Sequence, residues 1–215
     1  MINKELQKRI FSSIIIIPIA IFFIFQEAKF FIFFLSLLFL ATSYEWFKMS
    51  KENYFMKYFG VVFLIFSFYS AFFIRENIGV FFFLFLILIC IFTDIGGYVF
   101  GKIFKGPKLT KISPNKTYSG LIGGFLFSLA AGSFFLQYTD DNFLENDSNK
   151  IFAILIISSI SQLGDLIISY FKRKAKLKDT GKILPGHGGL LDRIDGLIFV
   201  FPSIYILVLT FDLFL

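Results

Sequence analysis

Cysteine and histidine are almost absent from this chain: Cys90 and His187 each stand alone among 215 residues. One thiol cannot form an internal disulfide. Neither a multi-cysteine metal centre nor a histidine-rich zinc site can be built from this pair. Cys90 sits in an apolar run and reads as a small core residue. Charge is scarce as well, at 17% of residues. The sequence also lacks the apolar–polar alternation of barrel strands and any internal repeat at a fixed period. It has no small-x-small cleavage site after its first apolar block, so no cleavable signal peptide is expected. What fills the chain is apolar: 57% hydrophobic residues, 35 of them Phe, with a mean hydropathy of +0.78. A soluble domain is nearer ~45–50% apolar. The long apolar blocks recur from end to end, so the chain reads as an all-α, polytopic integral membrane bundle with no separate soluble domain.

Seven apolar blocks can be drawn, at residues 10–25, 30–47, 58–74, 78–100, 120–138, 151–171 and 194–214. Each approaches the ~20 residues that cross ~30 Å of hydrocarbon as a helix. The first is short and is expected to borrow its charged leader. The net charge of +6 gives no case for a nucleic-acid partner, because the placement of the charges matters more than their sum. With seven spans, 18 of the 21 cations fall on the side of the leader and of the second, fourth and sixth connections. Only Lys29, Arg75 and Lys150 fall opposite, with the acidic group Asp140, Asp141, Glu145 and Asp147. The positive-inside rule then places the N-terminus in the cytoplasm. The organisation expected is a set of N-terminal spans, residues 1–92, followed by a catalytic membrane region, residues 93–215, with two cytoplasmic polar loops at 101–119 and 172–191.

Those loops hold the polar residues that hydropathy does not explain. Asp94, near the end of the fourth span, precedes Gly96, Gly97 and Gly101, which permit close backbone approach. It could bind a metal, cap local structure or lie at the interface. Ser113, Lys116 and Thr117 lead into the fifth span, where a helix start could bind phosphate; a snorkelling lysine and a helix cap are the alternative. In the sixth span Asp165 has Ser161 and Ser169 four residues to either side, all on one helix face. Lys172 projects near that face two turns on, followed by Arg173. Ionisable groups at membrane depth cost roughly 2.5 to over 10 kcal/mol and are rarely kept without a purpose.

Asp192 and Asp195 are three apart at the expected start of the seventh helix and should face the same way. The turn before them, Pro185-Gly186-His187-Gly188-Gly189, offers backbone donors suited to phosphate. Two carboxylates there would repel a phosphate unless a divalent cation intervened. Oxygen ligands shared with substrate phosphates are the usual setting for Mg²⁺. Asp165 and Asp192, with Asp195 as a further candidate, are the expected ligands, and Lys172, Arg173, Lys178 and Arg193 the neutralising cations. His187 reads as a phosphate donor or leaving-group acid, or else as the donor of a turn hydrogen bond.

The run Ser169-x-Phe171-Lys172-Arg173-x4-Lys178-Asp179-x-Gly181-x2-Leu184-Pro185-x-His187-Gly188-Gly189-Leu190-x-Asp192-Arg193-Ile194-Asp195 resembles the signature of phosphatidate cytidylyltransferases (CDP-diacylglycerol synthases). The upstream Asp94-x-Gly96-Gly97-Tyr98, Gly101-Lys102 and Ser113-Pro114-x-Lys116-Thr117 are similar to other segments of that family. The likeness extends from about residue 93 to the C-terminus. It implies an all-helical, multi-pass enzyme of a bacterial-type inner membrane, with its active site facing the cytoplasm. The implied reaction takes CTP and phosphatidic acid to CDP-diacylglycerol and pyrophosphate, with Mg²⁺ as cofactor, a second, monovalent cation left open, membrane lipids around it and a homodimeric assembly.

The family's metal-binding aspartates map onto Asp165 and Asp192, and its basic substrate-binding residues onto Lys172 and Arg173. The catalytic set so drawn is Asp165, Lys172, Arg173, His187, Asp192, Arg193 and Asp195. The substrate-binding set is Asp94, Ser113, Lys116, Thr117, Ser169, Lys178, Asp179, Gly188 and Gly189. Two departures stand out. The N-terminal part is short, so one or two spans of longer members are expected to be missing. Ser119 stands where an acidic or amide residue is common. Two rivals are a CTP-dependent polyprenol or phytol kinase-like enzyme and a transporter using Asp94 and Asp165 as an ion pathway. The transporter needs polar residues spread across several spans, whereas the first three here are nearly free of charge.

Overall fold

In the computed structural model, which describes residues 4–50, 53–110, 113, 115–139, 147–186 and 188–211, continuous apolar runs become helices, because buried or lipid-facing backbone must satisfy its own hydrogen bonds. In chain order these are α1 (Lys4–Phe25), α2 (Ala28–Met49), α3 (Tyr54–Phe73), a π-helical turn (Ile74–Ile78), α4 (Val80–Phe104), α5 (Tyr118–Tyr138), α6 (Asp147–Lys174), α7 (Leu191–Ile194) and α8 (Leu197–Phe211). No strand occurs among the described residues. Five helical stretches, Ala28–Met49, Tyr54–Ile78, Val80–Phe104, Tyr118–Tyr138 and Ser148–Lys174, are long and apolar enough to cross a membrane. Two shorter apolar ones, Phe11–Phe25 and Leu197–Thr210, account for the first and last blocks. The protein is an all-α, multi-pass membrane protein. The charged leader joins α1, as expected. The acidic segment 140–146 and His187 lie outside the described residues.

Two differences from the sequence reading have local causes. The connection expected at residues 48–57 shrinks to a few residues, because Asn53 starts α3 early: its side chain accepts from Met56 N at 3.1 Å. The last span does not begin as one helix. A single turn, α7, is separated from α8 by Asp195 and Gly196, so Asp192 and Asp195 do not share a regular helix. Gly196 N donates to its neighbour's Asp195 Oδ1 at 3.0 Å, and a side chain that captures a nearby amide competes with helix continuation.

The chain divides into two compact units, Met1–Phe72 with Phe171–Ile194, and Phe73–Tyr170 with Asp195–Leu215. In the first, α2 supplies the anchor. Trp46 packs edge-on against Phe171, with ring centroids 5.3 Å apart, and donates from Nε1 to Met56 O at 3.2 Å. In the second, α4 and α5 approach through glycines. A Cβ on Gly120 would lie 2.7 Å from Gly97 O, and one on Gly124 would lie 3.0 Å from Thr93 O. The close backbone approach expected of Gly96, Gly97 and Gly101 is thus made to a neighbouring helix, the small-residue packing that membrane helices use in place of a hydrophobic drive. Phe82, Phe85, Leu86, Ile89, Ile154 and Ile204 fill this unit's core, and Thr93 Oγ1 donates to Ser158 Oγ at 2.9 Å between α4 and α6.

Candidate active site

In the first unit the signature run folds around one carboxylate. Asp192, in α7, accepts from Lys172 Nζ at 2.8 Å on Oδ1, and on Oδ2 from Thr180 N at 2.8 Å and Gly189 N at 3.0 Å. The side chains of Lys172 and Asp192 are only 10% and 6% exposed. A charge-assisted bond in such surroundings is short and strong. Lys172 reaches Asp192 from the end of α6, which closes in a Schellman motif. Leu177 N donates to Lys172 O, and Lys176, at φ 57°, donates from its N to Arg173 O. Arg173 Nη1 donates to Leu177 O at 2.9 Å, and Lys178, Asp179 and Arg193 are exposed on the same loop and turn. Gly188, at φ 88°, occupies a conformation few other residues tolerate, and its O accepts from Leu184 N at 3.0 Å, closing a tight loop.

A second carboxylate organises this loop, and sequence reasoning passed it over. Glu45, on α2, is 1% exposed. It accepts from Leu190 N (3.0 Å) on Oε1, and from Leu191 N (2.8 Å) and Thr180 Oγ1 (2.9 Å) on Oε2. Of the turn amides expected as phosphate donors, that of Gly189 is therefore engaged by Asp192, and the next two along the chain, of Leu190 and Leu191, go to Glu45. The signal for Glu45 was present. It is the one carboxylate inside the apolar block 30–47, and ionisable groups at that depth mark function by default.

In the second unit Asp165 is paired with Lys116, from the loop before α5, and accepts from Ser169 Oγ at 3.3 Å. The two charged side chains are about a quarter exposed, at 25% and 27%. Ser161 and Ser169 are buried, as the polar face of α6 requires. The lysine on Asp165 is thus Lys116, whereas the one expected near its face, Lys172, serves Asp192. Thr117 is the N-cap of α5, accepting from Gly120 N at 3.1 Å, so its hydroxyl is used as a cap. Ser113 N donates to Thr110 Oγ1 at 3.2 Å, and Ser113 O accepts from Lys116 N at 3.0 Å, a turn that aims Lys116. Asp94 is exposed on α4, and Asp195 is buried. Ser119, where the family pattern is broken, bonds to Thr117 Oγ1 and Lys105 O, closing the same loop.

Among the described residues no group of three or more Asp, Glu, His or Cys side chains forms a metal cage. The donor chemistry still suits a hard cation. Asp165 and Asp192 are carboxylates that each already hold one cation, a lysine ammonium. Magnesium characteristically takes only one or two carboxylates and completes its shell with water and phosphate oxygens.

A phosphatidate cytidylyltransferase of Staphylococcus haemolyticus is 41% identical over 142 residues, covering 66% of this chain and 54% of the relative. One from Staphylococcus aureus (strain COL) is 43% identical over the same length, with the same coverage. The chain spans about half the length of these staphylococcal relatives. A phosphatidate cytidylyltransferase of Rickettsia bellii is 33% identical over 211 residues, covering 94% of this chain and 90% of the relative. The model of the cytidylyltransferase family matches residues 50–211, which hold both lysine–aspartate pairs; the chain belongs to that family.

Proposed function

We propose that this protein transfers CMP from CTP to phosphatidic acid, giving CDP-diacylglycerol and pyrophosphate, in phospholipid biosynthesis. The observation that carries the reading is the buried Lys172–Asp192 pair, whose carboxylate also accepts from two backbone amides, of Thr180 and Gly189, in the signature run. The relatives named above are phosphatidate cytidylyltransferases, which supports the same substrates.

The chemistry asks little proton transfer of the protein. The phosphate monoester of the lipid is already ionised at neutral pH. One of its oxygens forms the new bond to the α-phosphorus of CTP, and the bond to the bridging oxygen breaks, sending its electron pair out with pyrophosphate. The barrier is repulsion between anions and charge building on the leaving group, which fixed cations relieve. Lys172, Arg173, Lys178 and Arg193 are the cations proposed to hold phosphate oxygens, with Lys116 in the same role beside Asp165. Asp165 and Asp192 are the carboxylates proposed to hold Mg²⁺, with Asp195 as a third candidate. When bound, the metal supplies charge neutralisation at the phosphates. Asp192 also orients Lys172, and Ser169 orients Asp165.

The cation asymmetry of the sequence supports a cytoplasmic N-terminus and an active site facing the cytoplasm, where CTP is found. A homodimer, implied by the family likeness, is part of the same proposal and is read by light scattering of the detergent-solubilised protein.

The deciding experiment uses purified protein in detergent with phosphatidic acid, Mg²⁺ and CTP labelled at either the α- or the γ-phosphate. Lipid labelled only from α-labelled CTP is the expected result. Lipid labelled from γ-labelled CTP would identify a kinase and overturn the proposal.

A further inference from the structure

Glu45 has no part in the reaction as drawn, yet it is among the most completely buried charged side chains described. Among the described residues its partners are a hydroxyl and two backbone amides, none of them a cation. A carboxylate is expensive to bury, and a lone helix position in lipid would favour an apolar residue. The loop is built to receive it. A Cβ on Gly181 would overlap the Glu45 carboxylate, and one on Gly189 would fall 2.6 Å from Glu45 Oε2 and overlap Thr180 Oγ1. Two glycines of the signature run are therefore bare so that backbone can close on α2. Thr180 ties the two carboxylates together, giving its hydroxyl to Glu45 and its amide to Asp192. Gly189 N, one residue before the first amide on Glu45, goes to Asp192 as well. A second tether comes from α1, where Ser12 Oγ donates to Pro185 O at 3.1 Å.

From this we propose that Glu45 is a positioning residue: α2 uses its carboxylate to clamp Thr180 to Leu190 and Leu191, where the loop meets α7, and so sets where Asp192 and Lys172 stand. The proposal rests on the cytidylyltransferase reading for its effect on turnover, but not for its effect on the loop.

The donor arrangement makes the requirement specific. Both oxygens accept, Oε1 once and Oε2 twice, so glutamine, with one acceptor atom and an NH₂ in place of the other, leaves a donor facing a donor. Aspartate is one methylene too short to reach from the same helix position.

The test compares full-length protein with Glu45→Gln, Glu45→Ala and Thr180→Val, all in the same detergent. Backbone hydrogen exchange is followed in the peptides carrying Leu190 and Leu191, alongside CDP-lipid formation. For both Glu45 variants the expected result is faster exchange at those amides, unchanged exchange in α4 and α5, and turnover lowered roughly 10–100-fold, the usual effect of removing a supporting partner. Thr180→Val, which removes one of three donors, should show both effects more weakly. It keeps the test decisive if Glu45→Ala does not accumulate. Unchanged exchange in Glu45→Gln overturns the clamp, and faster exchange with wild-type turnover overturns the positioning of Asp192 and Lys172 by it. If the wild-type protein forms no CDP-lipid, the functional reading fails, while the exchange result still decides whether Glu45 holds the loop.

Discussion

Replacing Asp192 by Asn should separate the structural from the catalytic work of the buried Lys172–Asp192 pair. The amide oxygen can take the place of Oδ2 and keep the bonds from Thr180 N and Gly189 N. Its NH₂ then faces Lys172 Nζ, which sat 2.8 Å from Oδ1, so a donor and a cation are left opposed. With Lys172 only 10% exposed, water cannot compensate it. Stranding one partner of a buried pair typically destabilises by about 3–5 kcal/mol. The double variant Lys172→Met with Asp192→Asn removes the orphan charge while keeping an unbranched side chain of similar reach. It should recover most of that loss, since replacing both partners of a buried pair is often near neutral. Activity should not recover, because both groups are proposed to act on the phosphates or their metal. Thermal unfolding in detergent for the four members of the cycle gives the coupling, and CDP-lipid formation gives the function. Near-normal turnover in Asp192→Asn would refute the metal and phosphate roles. A double variant no more stable than Asp192→Asn would refute the account of the pair as mutually dependent.

Three further outcomes follow from the same structure. Gly123→Leu would drive a side chain into Phe100 and Gly96 O, and should lower unfolding stability by at least the ~1–3 kcal/mol typical of overpacking, read by thermal shift. The Lys116–Asp165 pair is more exposed than Lys172–Asp192, so solvent screens it more. The same double-variant cycle should give a smaller coupling there, and an equal or larger one would mean that exposure is not the controlling factor. In a Cys90→Ser background, Lys182→Cys should react with a membrane-impermeant maleimide only when the cytoplasmic face is open; labelling from the outer face would remove the orientation argued from charge.

The sequence alone determined the class of molecule and the elements of its fold, because hydrophobic run length is a local property. A helix in lipid satisfies its own backbone, so each block of apolar residues had to become one, whatever its neighbours did. It also delivered the family, since the run from Ser169 to Asp195 is a linear pattern. Partnership was another matter. Helix periodicity put Lys172 near the face of Asp165, but the Schellman turn after α6 and the folded loop give it to Asp192, while Lys116, forty-nine residues earlier in the chain, takes Asp165. The start of the last span looked continuous in composition, but the chain breaks there, with Gly196 N captured by Asp195. Glu45 was visible as a lone acid in an apolar block, but its meaning depends on amides 145 and 146 residues away. Burial of a charge is decided by which donors the tertiary fold brings to it, and no local pattern carries that information.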